Sequence, residues 1–409
     1  MDQKPLRILY HHRTAASDGM RVHIDAVVGA LRSQGHVVRV VGPVAAGEQS
    51  AGHSSRLERT ADLLRGLLPP AAFELLELAY NIPAYLALRA HARDFRPDVL
   101  YERYNLFLLA GLLLRRRRRL PMLLEINSPL AAERSLSGNL QLKSLARLCE
   151  RTLWRGADAA LPVTAVLAAD VARARGTSDG VHVIANGADM EPCPDADAIA
   201  ATRERLGLPP HAVVLGFVGF VRDWHGVGWA IDALPQLARE AHLVVVGDGP
   251  ALPALRSRAE ALGVLDRVRL VGRAPHAEVP AYMQAFDIAL QTAATPYASP
   301  LKLFEYMALG LAIIAPNQTN IREVLKDQEN ALLFTPGEEA SFVSTLRRLC
   351  ADAELRRDLG ARAVRTIHDT PFTWSHNARR ISALARASLA PSQVAANEVA
   401  SASTAVQRG

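Results

Sequence analysis

Ser299-Pro300-Leu301-Lys302-Leu303-Phe304-Glu305-Tyr306-Met307-Ala308-Leu309-Gly310 is the stretch on which the reading of this chain turns. A Ser-Pro turn leads straight into a helix that carries one lysine and one carboxylate and stops at a glycine. Such a helix start offers free backbone N–H groups to a phosphate. Lys302 sets a mobile positive charge beside them. Glu305, about one turn further in, can accept hydrogen bonds from two neighbouring hydroxyls such as those of a ribose. One short element therefore suits both the diphosphate and the sugar of a nucleotide, with Ser299, Pro300, Leu301, Lys302 and Glu305 as candidate contacts.

Around this stretch short apolar runs alternate with helical ones. In the first half, strands are predicted at Arg7–Tyr10, Val37–Val41, Asp98–Tyr101, Met122–Ile126 and Val181–Ile184. In the second they fall at Val213–Val218, His242–Val246, Arg267–Val271, Ile288–Leu290 and Ala312–Ala315. Several are continuous Val/Ile/Leu runs, the mark of parallel strands covered on both faces. Helical stretches at Val22–Gln34, Val227–Glu240 and Ala251–Leu262 fall between them, so a βαβ rhythm occurs twice. The expected fold is α/β with two doubly wound domains, 1–186 and 187–371. The break lies at the Asn-Gly turn and prolines of Asn186–Pro194. The small, polar tail 390–409 is expected to be disordered.

The chain has 409 residues, 49% hydrophobic and 22% charged, as expected of a globular protein with ample core. No apolar run reaches the roughly 18–20 residues of a membrane span, and the N-terminus lacks a secretion signal. Three scattered cysteines give neither a disulfide framework nor a zinc site, so a cytoplasmic location is expected. The net charge of +6 favours anionic partners. The run Arg115–Arg119 reads as a basic helix end, with docking to anionic lipid as its sharper reading. No interleaved aromatics accompany it, which argues against nucleic acid. Asp195-Ala196-Asp197 sits in the linker and is too sparse to hold a metal.

Further candidates follow predicted strands. After Val213–Val218 come Gly219, Arg222 and His225; strand end, glycine and cation together suit a diphosphate. Gly247 stands in the glycine-rich turn Val246–Pro250. In the first half, Gly19 opens a helix after the first strand and can let backbone approach a phosphate. His11 and His12 precede it, facing the cleft or serving as polar loop residues. Glu102, Arg103, Glu125 and Asn127 also follow strands and can meet sugar hydroxyls, with a Glu102–Arg103 ion pair as the plainer alternative.

Together these segments resemble the retaining glycosyltransferase family 4, with the GT-B fold. The resemblance runs from Asp18-Gly19-Met20 through Asn186-Gly187-Ala188-Asp189, Val246–Pro250 and Val271-Gly272-Arg273-Ala274-Pro275 to Ser299–Gly310. It implies two Rossmann-like domains facing across a cleft, the second holding a nucleoside diphosphate sugar. It also implies a C-terminal helix at about 372–389 returning to the first domain. Glu305 matches the second glutamate of the family's Glu-x7-Glu motif, which binds the donor ribose. Arg222 falls in the region of the phosphate-binding cation, and Arg273 follows the strand near the base. Three positions depart from the family pattern. Tyr297 stands for the first motif glutamate, His225 for the phosphate-loop lysine, and Asn127 for the first-domain histidine that touches the donor sugar.

The implied activity is retaining transfer to an acceptor hydroxyl, from UDP-sugar by preference and GDP-sugar next, with Arg222, Lys302 and Asn127 at the chemistry. No metal and no tightly bound cofactor is expected. The acceptor is a glycan, lipid-linked or small-molecule hydroxyl, as in polysaccharide or glycolipid assembly. Two alternatives stay open: a nucleotide-sugar 2-epimerase of the same fold, and a non-catalytic sugar-nucleotide-binding protein.

Overall fold

The computed structural model describes residues 4–14, 19–43, 69–190 and 195–389. Asp18, the linker residues 191–194 and the tail 390–409 lie outside them. Two parallel sheets organise the chain. The first joins β1 (Arg7–His11), β2 (Val37–Val41), β3 (Val99–Arg103), β4 (Met122–Ile126) and β5 (Ala159–Pro162) in the order β2-β1-β3-β4-β5. The second joins β6 (Val213–Val218), β7 (Ala241–Val246), β8 (Val268–Gly272), β9 (Ile288–Leu290), β10 (Ala312–Pro316) and β11 (Leu332–Phe334) in the order β11-β10-β9-β6-β7-β8. β3, β4, β5, β7 and β10 are buried along their whole length, which is why their sequences do not alternate.

In each sheet the strand order reverses once, between β1 and β3 and between β6 and β9. The carboxyl ends of strands at such a reversal leave a crevice where ligands bind in open α/β sheets. The loops that follow β6 and β9 and those that follow β1, β3 and β4 meet around a common hollow.

Four elements differ from the sequence reading, among them β11, which it did not predict. Val181–Ile184 forms no regular strand. It runs alongside β5, with Ala160 N donating to Gly180 O (2.7 Å) and His182 N to Ala160 O (2.9 Å). β5 itself is alanine-rich and ends in proline, so it carries little β propensity of its own. The stretch Val227–Glu240 is broken at Pro235: a helix Gly228–Ala233 passes into a tight turn Leu234–Gln236, because proline cannot donate within a helix.

The chain crosses between the halves twice, and the crossings lie against each other. Ala188 N donates to Phe372 O (3.1 Å), and a Cβ on Gly187 would come within 2.8 Å of that oxygen. The side chain of Asp189 accepts from Trp374 N (3.1 Å), the first residue of the last helix, Trp374–Leu389. That helix packs Trp374, Ala378, Ile381 and Ala385 into one core with Ile8, Tyr10, Ile24 and Val28 of the first half.

Arg115 forks onto Asp158, Nε to Oδ2 at 2.7 Å and Nη2 to Oδ1 at 2.5 Å. Arg116–Arg119 are exposed at the end of the helix Ala110–Arg118. Being the C-terminus of a crossover helix, this basic end lies at the edge of the sheet opposite the hollow. Asp195 caps the helix Ala196–Arg205 by accepting from Asp197 N (3.0 Å) and Ala198 N (3.1 Å). Among the described residues no cluster of His, Cys, Asp and Glu could hold a metal ion, and no helix is long and apolar enough to cross a membrane.

Candidate active site

The helix Leu301–Ala308 buries Leu303, Phe304, Tyr306 and Met307 and turns Lys302 and Glu305, three residues apart, to one face. Val218 N, at the end of β6, donates to the Tyr306 hydroxyl (3.1 Å), which fixes the helix to the strand. Lys302 Nζ lies 3.7 Å from the centroid of the Phe217 ring. Gly219 has φ +135°, and a Cβ there would approach that ammonium to 3.2 Å. The glycine therefore serves two needs, a backbone conformation other residues rarely adopt and room beside the cation. Burial pushes the Lys302 ammonium down to about 7, against the pull of Glu305. It raises the Glu305 carboxyl in turn, against the pull of Lys302.

The β6 loop brings Arg222 and His225 to the same hollow. Arg222 N donates to His225 Nδ1 (3.1 Å), and the Thr292 hydroxyl, from the loop after β9, donates to the His225 carbonyl. Burial, then the charges of Lys302 and Arg222, drive the His225 imidazole down to about 3, so it is neutral at physiological pH. Gly247 does not line the hollow. It packs behind the β6 loop, where a Cβ would collide with Gly219 O at 2.0 Å, and its φ of +134° again calls for glycine.

The turn that opens the Lys302 helix is held from three sides. Asn186 Nδ2 donates to Ser299 O (2.5 Å), and Asn320 Nδ2 to Thr295 O (3.0 Å) and Ala298 O (2.7 Å). The Thr164 hydroxyl of the first half donates to Tyr297 O (3.0 Å). The Tyr297 ring packs against the core of the first half, and burial with nearby Glu133 raises its phenol to about 12. Tyr297 is thus a contact between the halves and does not line the hollow. Glu323 adds another: it accepts from Ala165 N (2.8 Å) and Val166 N (3.3 Å), capping the helix Ala165–Arg175 across the divide.

On the opposite wall Glu125 is a buried hub. Tyr101 donates to its Oε2 (2.9 Å), while Asn127 Nδ2 (2.6 Å) and Arg103 donate to its Oε1. Burial raises the Glu125 carboxyl, but His23, Arg103, Asn127 and Tyr101 together hold it below the usual carboxylate range. Arg103 and Asn127 are thereby fixed at the rim of the hollow, with Gly19 beside them. His23 joins them and was not foreseen in the sequence. Its Nδ1 stands 2.9 Å from an Arg103 nitrogen that can only donate, which leaves the proton on Nε2. Burial lowers this imidazole to about 4.

Six of the sequence candidates fall outside the hollow, Gly247 among them. His11 is buried against Glu102 (2.5 Å), under the helix that begins at Ala110. The alternative Glu102–Arg103 ion pair does not form, because neighbours on a strand point to opposite faces; Arg103 turns to Glu125. His12 is likewise buried, not a surface loop residue. Glu125 acts only through Arg103 and Asn127. Arg273 is exposed and lines neither this hollow nor the next, which His276, three residues on, does line.

The hollow measures about 490 Å³ and adjoins a second of about 480 Å³. Glu305, Leu301, His276 and Val22 line both. This size suits a nucleotide-scale ligand.

Known proteins share this architecture. Residues 18–187 match the family described as glycosyl transferase 4-like domain, and residues 212–352 match glycosyl transferases group 1. The D-inositol 3-phosphate glycosyltransferase of Xylanimonas cellulosilytica is 26% identical over 373 residues, 86% of this chain and 87% of that one. The 2-deoxystreptamine glucosyltransferase of Streptomyces kanamyceticus is 30% identical over 203 residues, 47% of this chain and 51% of that one. Among solved structures, sucrose-phosphate synthase of Thermosynechococcus elongatus superposes with a TM-score of 0.71 at 20% identity, covering 93% of this chain and 98% of that one. HepE of Anabaena, solved with UDP-glucose, gives 0.69 at 20% identity over 92% and 98%. Two facing Rossmann-like sheets and these matches across both halves place the chain in glycosyltransferase family 4, as an enzyme of the GT-B fold.

Proposed function

We propose that the enzyme transfers a sugar from a nucleoside diphosphate sugar, UDP-sugar by preference, to an acceptor hydroxyl with the anomeric configuration retained. The observation that carries this reading is the Lys302–Glu305 face at the reversal of the second sheet. There a half-buried ammonium, a glycine cleared for close approach and a carboxylate share one hollow. HepE, solved with UDP-glucose, lends UDP its preference.

In this reading the diphosphate lies between Lys302, Arg222, the Gly219 backbone and the Ser299–Leu301 turn, and the ribose hydroxyls bond to Glu305. The base extends toward His276, and the sugar points at Asn127. The bond from the anomeric carbon to the diphosphate oxygen breaks, its electron pair staying on the phosphate. Lys302 and Arg222 stabilise that growing charge in a site that needs no reorganisation. The acceptor oxygen bonds to the same face of the anomeric carbon, and its proton passes to the departing phosphate. Contact between the halves at Tyr297 and Glu323 keeps water out while the carbon is cationic.

A nucleotide-sugar panel, with and without membrane extract as acceptor source, tests this. Release of free UDP and a product of unchanged anomeric coupling by NMR are expected, with Glu305→Ala sharply reduced. Conversion of the sugar to its 2-epimer without acceptor would overturn the reading, as would UDP binding with no turnover across the panel.

A further inference from the structure

Two large aromatic side chains on the β6 loop have no task in donor binding. Phe220 and Trp224 are 44% and 51% exposed, yet both line the larger hollow. Each has one face covered. The Arg222 guanidinium sits 5.2 Å from the Phe220 ring centroid, and the Trp224 ring lies 3.8 Å from His225 at 34°. Their remaining exposure is open aromatic surface at a cleft mouth, held in place by the loop's own contacts. The first-half wall sets Arg103, whose charge Glu125 already balances, beside Met20 and Val22.

A hollow that sets exposed aromatic rings against a hydrogen-bonding side chain suits a ligand divided the same way. A pyranose ring is so divided, with C–H bonds on its faces and hydroxyls round its rim. A small polyol phosphate would find a neutralised arginine and two unused rings. On the donor reading above, we propose that Phe220 and Trp224 form an acceptor subsite for a sugar ring, so that the accepting hydroxyl belongs to a glycan. The rings would stack on one face of the pyranose while Arg103 bonds its rim hydroxyls.

Saturation-transfer NMR on the UDP-bound protein tests this with methyl glycosides of glucose, galactose, mannose and N-acetylglucosamine, and with p-nitrophenol as a flat non-sugar probe. At least one glycoside is expected to take up saturation at the C–H protons of one ring face. Trp224→Ala should abolish that signal and Trp224→Phe should keep most of it, with UDP affinity within about threefold of the parent in both. UDP binding without any Trp224-dependent glycoside signal overturns the acceptor subsite alone. So does a tenfold loss of UDP affinity in Trp224→Ala, which would assign the ring to the donor, or binding of p-nitrophenol in place of the glycosides. Failure of the parent protein to bind UDP overturns the donor reading and this assignment with it.

Discussion

Replacing Lys302 with methionine should make the protein more stable and worse at its task. The folded chain holds this ammonium over the Phe217 ring with Glu305 as its counter-charge. Burial lowers its pKa from 10.5 to about 7. At roughly 1.4 kcal/mol per pH unit the shift sets an upper limit near 5 kcal/mol on the cost of keeping the charge at neutral pH. Partial exposure to the cleft and local relaxation reduce this to about 1–3 kcal/mol. The sign follows from proton counting. Below about pH 7 both states carry the proton and the cost is complete. Between 7 and 10.5 the unfolded chain keeps a proton that the folded one sheds, so stability rises with pH across that window.

Methionine keeps the stem over Phe217 and loses the charge. Glu305, whose carboxyl burial already raises, can take a proton when its partner is gone. At roughly 2–4 °C per kcal/mol for a domain of this size, Lys302→Met should melt ~2–12 °C above the parent at pH 6.5. The gap should narrow toward pH 9. A lost charge-assisted hydrogen bond of about 1.5–3 kcal/mol should weaken UDP binding by ~10–150-fold. Thermal melts at several pH values and UDP titration calorimetry measure both. A variant that melts at or below the parent at pH 6.5, or whose gap does not close with pH, refutes the strained-charge argument. Undiminished UDP affinity refutes the phosphate role.

The same lysine should couple donor binding to pH. UDP affinity should hold below pH 7 and fall as pH climbs past it, and calorimetry at pH 8 in buffers of different ionisation heat should show proton uptake by the parent and none by Lys302→Met; equal buffer dependence in the two would sink the coupling. At the divide between the halves, Glu323→Ala removes a helix cap worth about 0.5–2 kcal/mol. Small-angle scattering should then report a larger radius of gyration and melts a lower midpoint, and curves that superpose on the parent's would show that the cap does not hold the halves together.

The long buried strands were legible because burial on both faces leaves an unbroken apolar run, as in Val213–Val218 and Ala241–Val246. β5 and β11 were not: one is half alanine and ends in proline, the other three residues long, and both depend on neighbours for their pairing. The Lys302–Glu305 face was legible because helix spacing alone puts the two side chains together. The facing wall was less so. Glu125 looked like a ligand contact, but Tyr101, Arg103 and Asn127 converge on it from β3 and the end of β4, a geometry that register sets and spacing does not show. His23 lies within an ordinary amphipathic helix, and only the packing of Trp374 against it (5.2 Å, 84°) and of Arg103 beside it marks it out. Tyr297 departs from the family pattern in sequence, but its place in the core of the opposite half could only be seen in three dimensions.

The helix Trp374–Leu389 is made long after the sheet it completes. On a ribosome the first sheet is finished at Pro162, and the helix follows roughly two hundred residues later, a wait of ~10–40 s at about 5–20 residues per second. For that interval Ile8, Ile24 and Val28 present an open apolar seam. A nascent chain in this state is a natural client for chaperones, and a message truncated before Trp374 would yield a product trapped there.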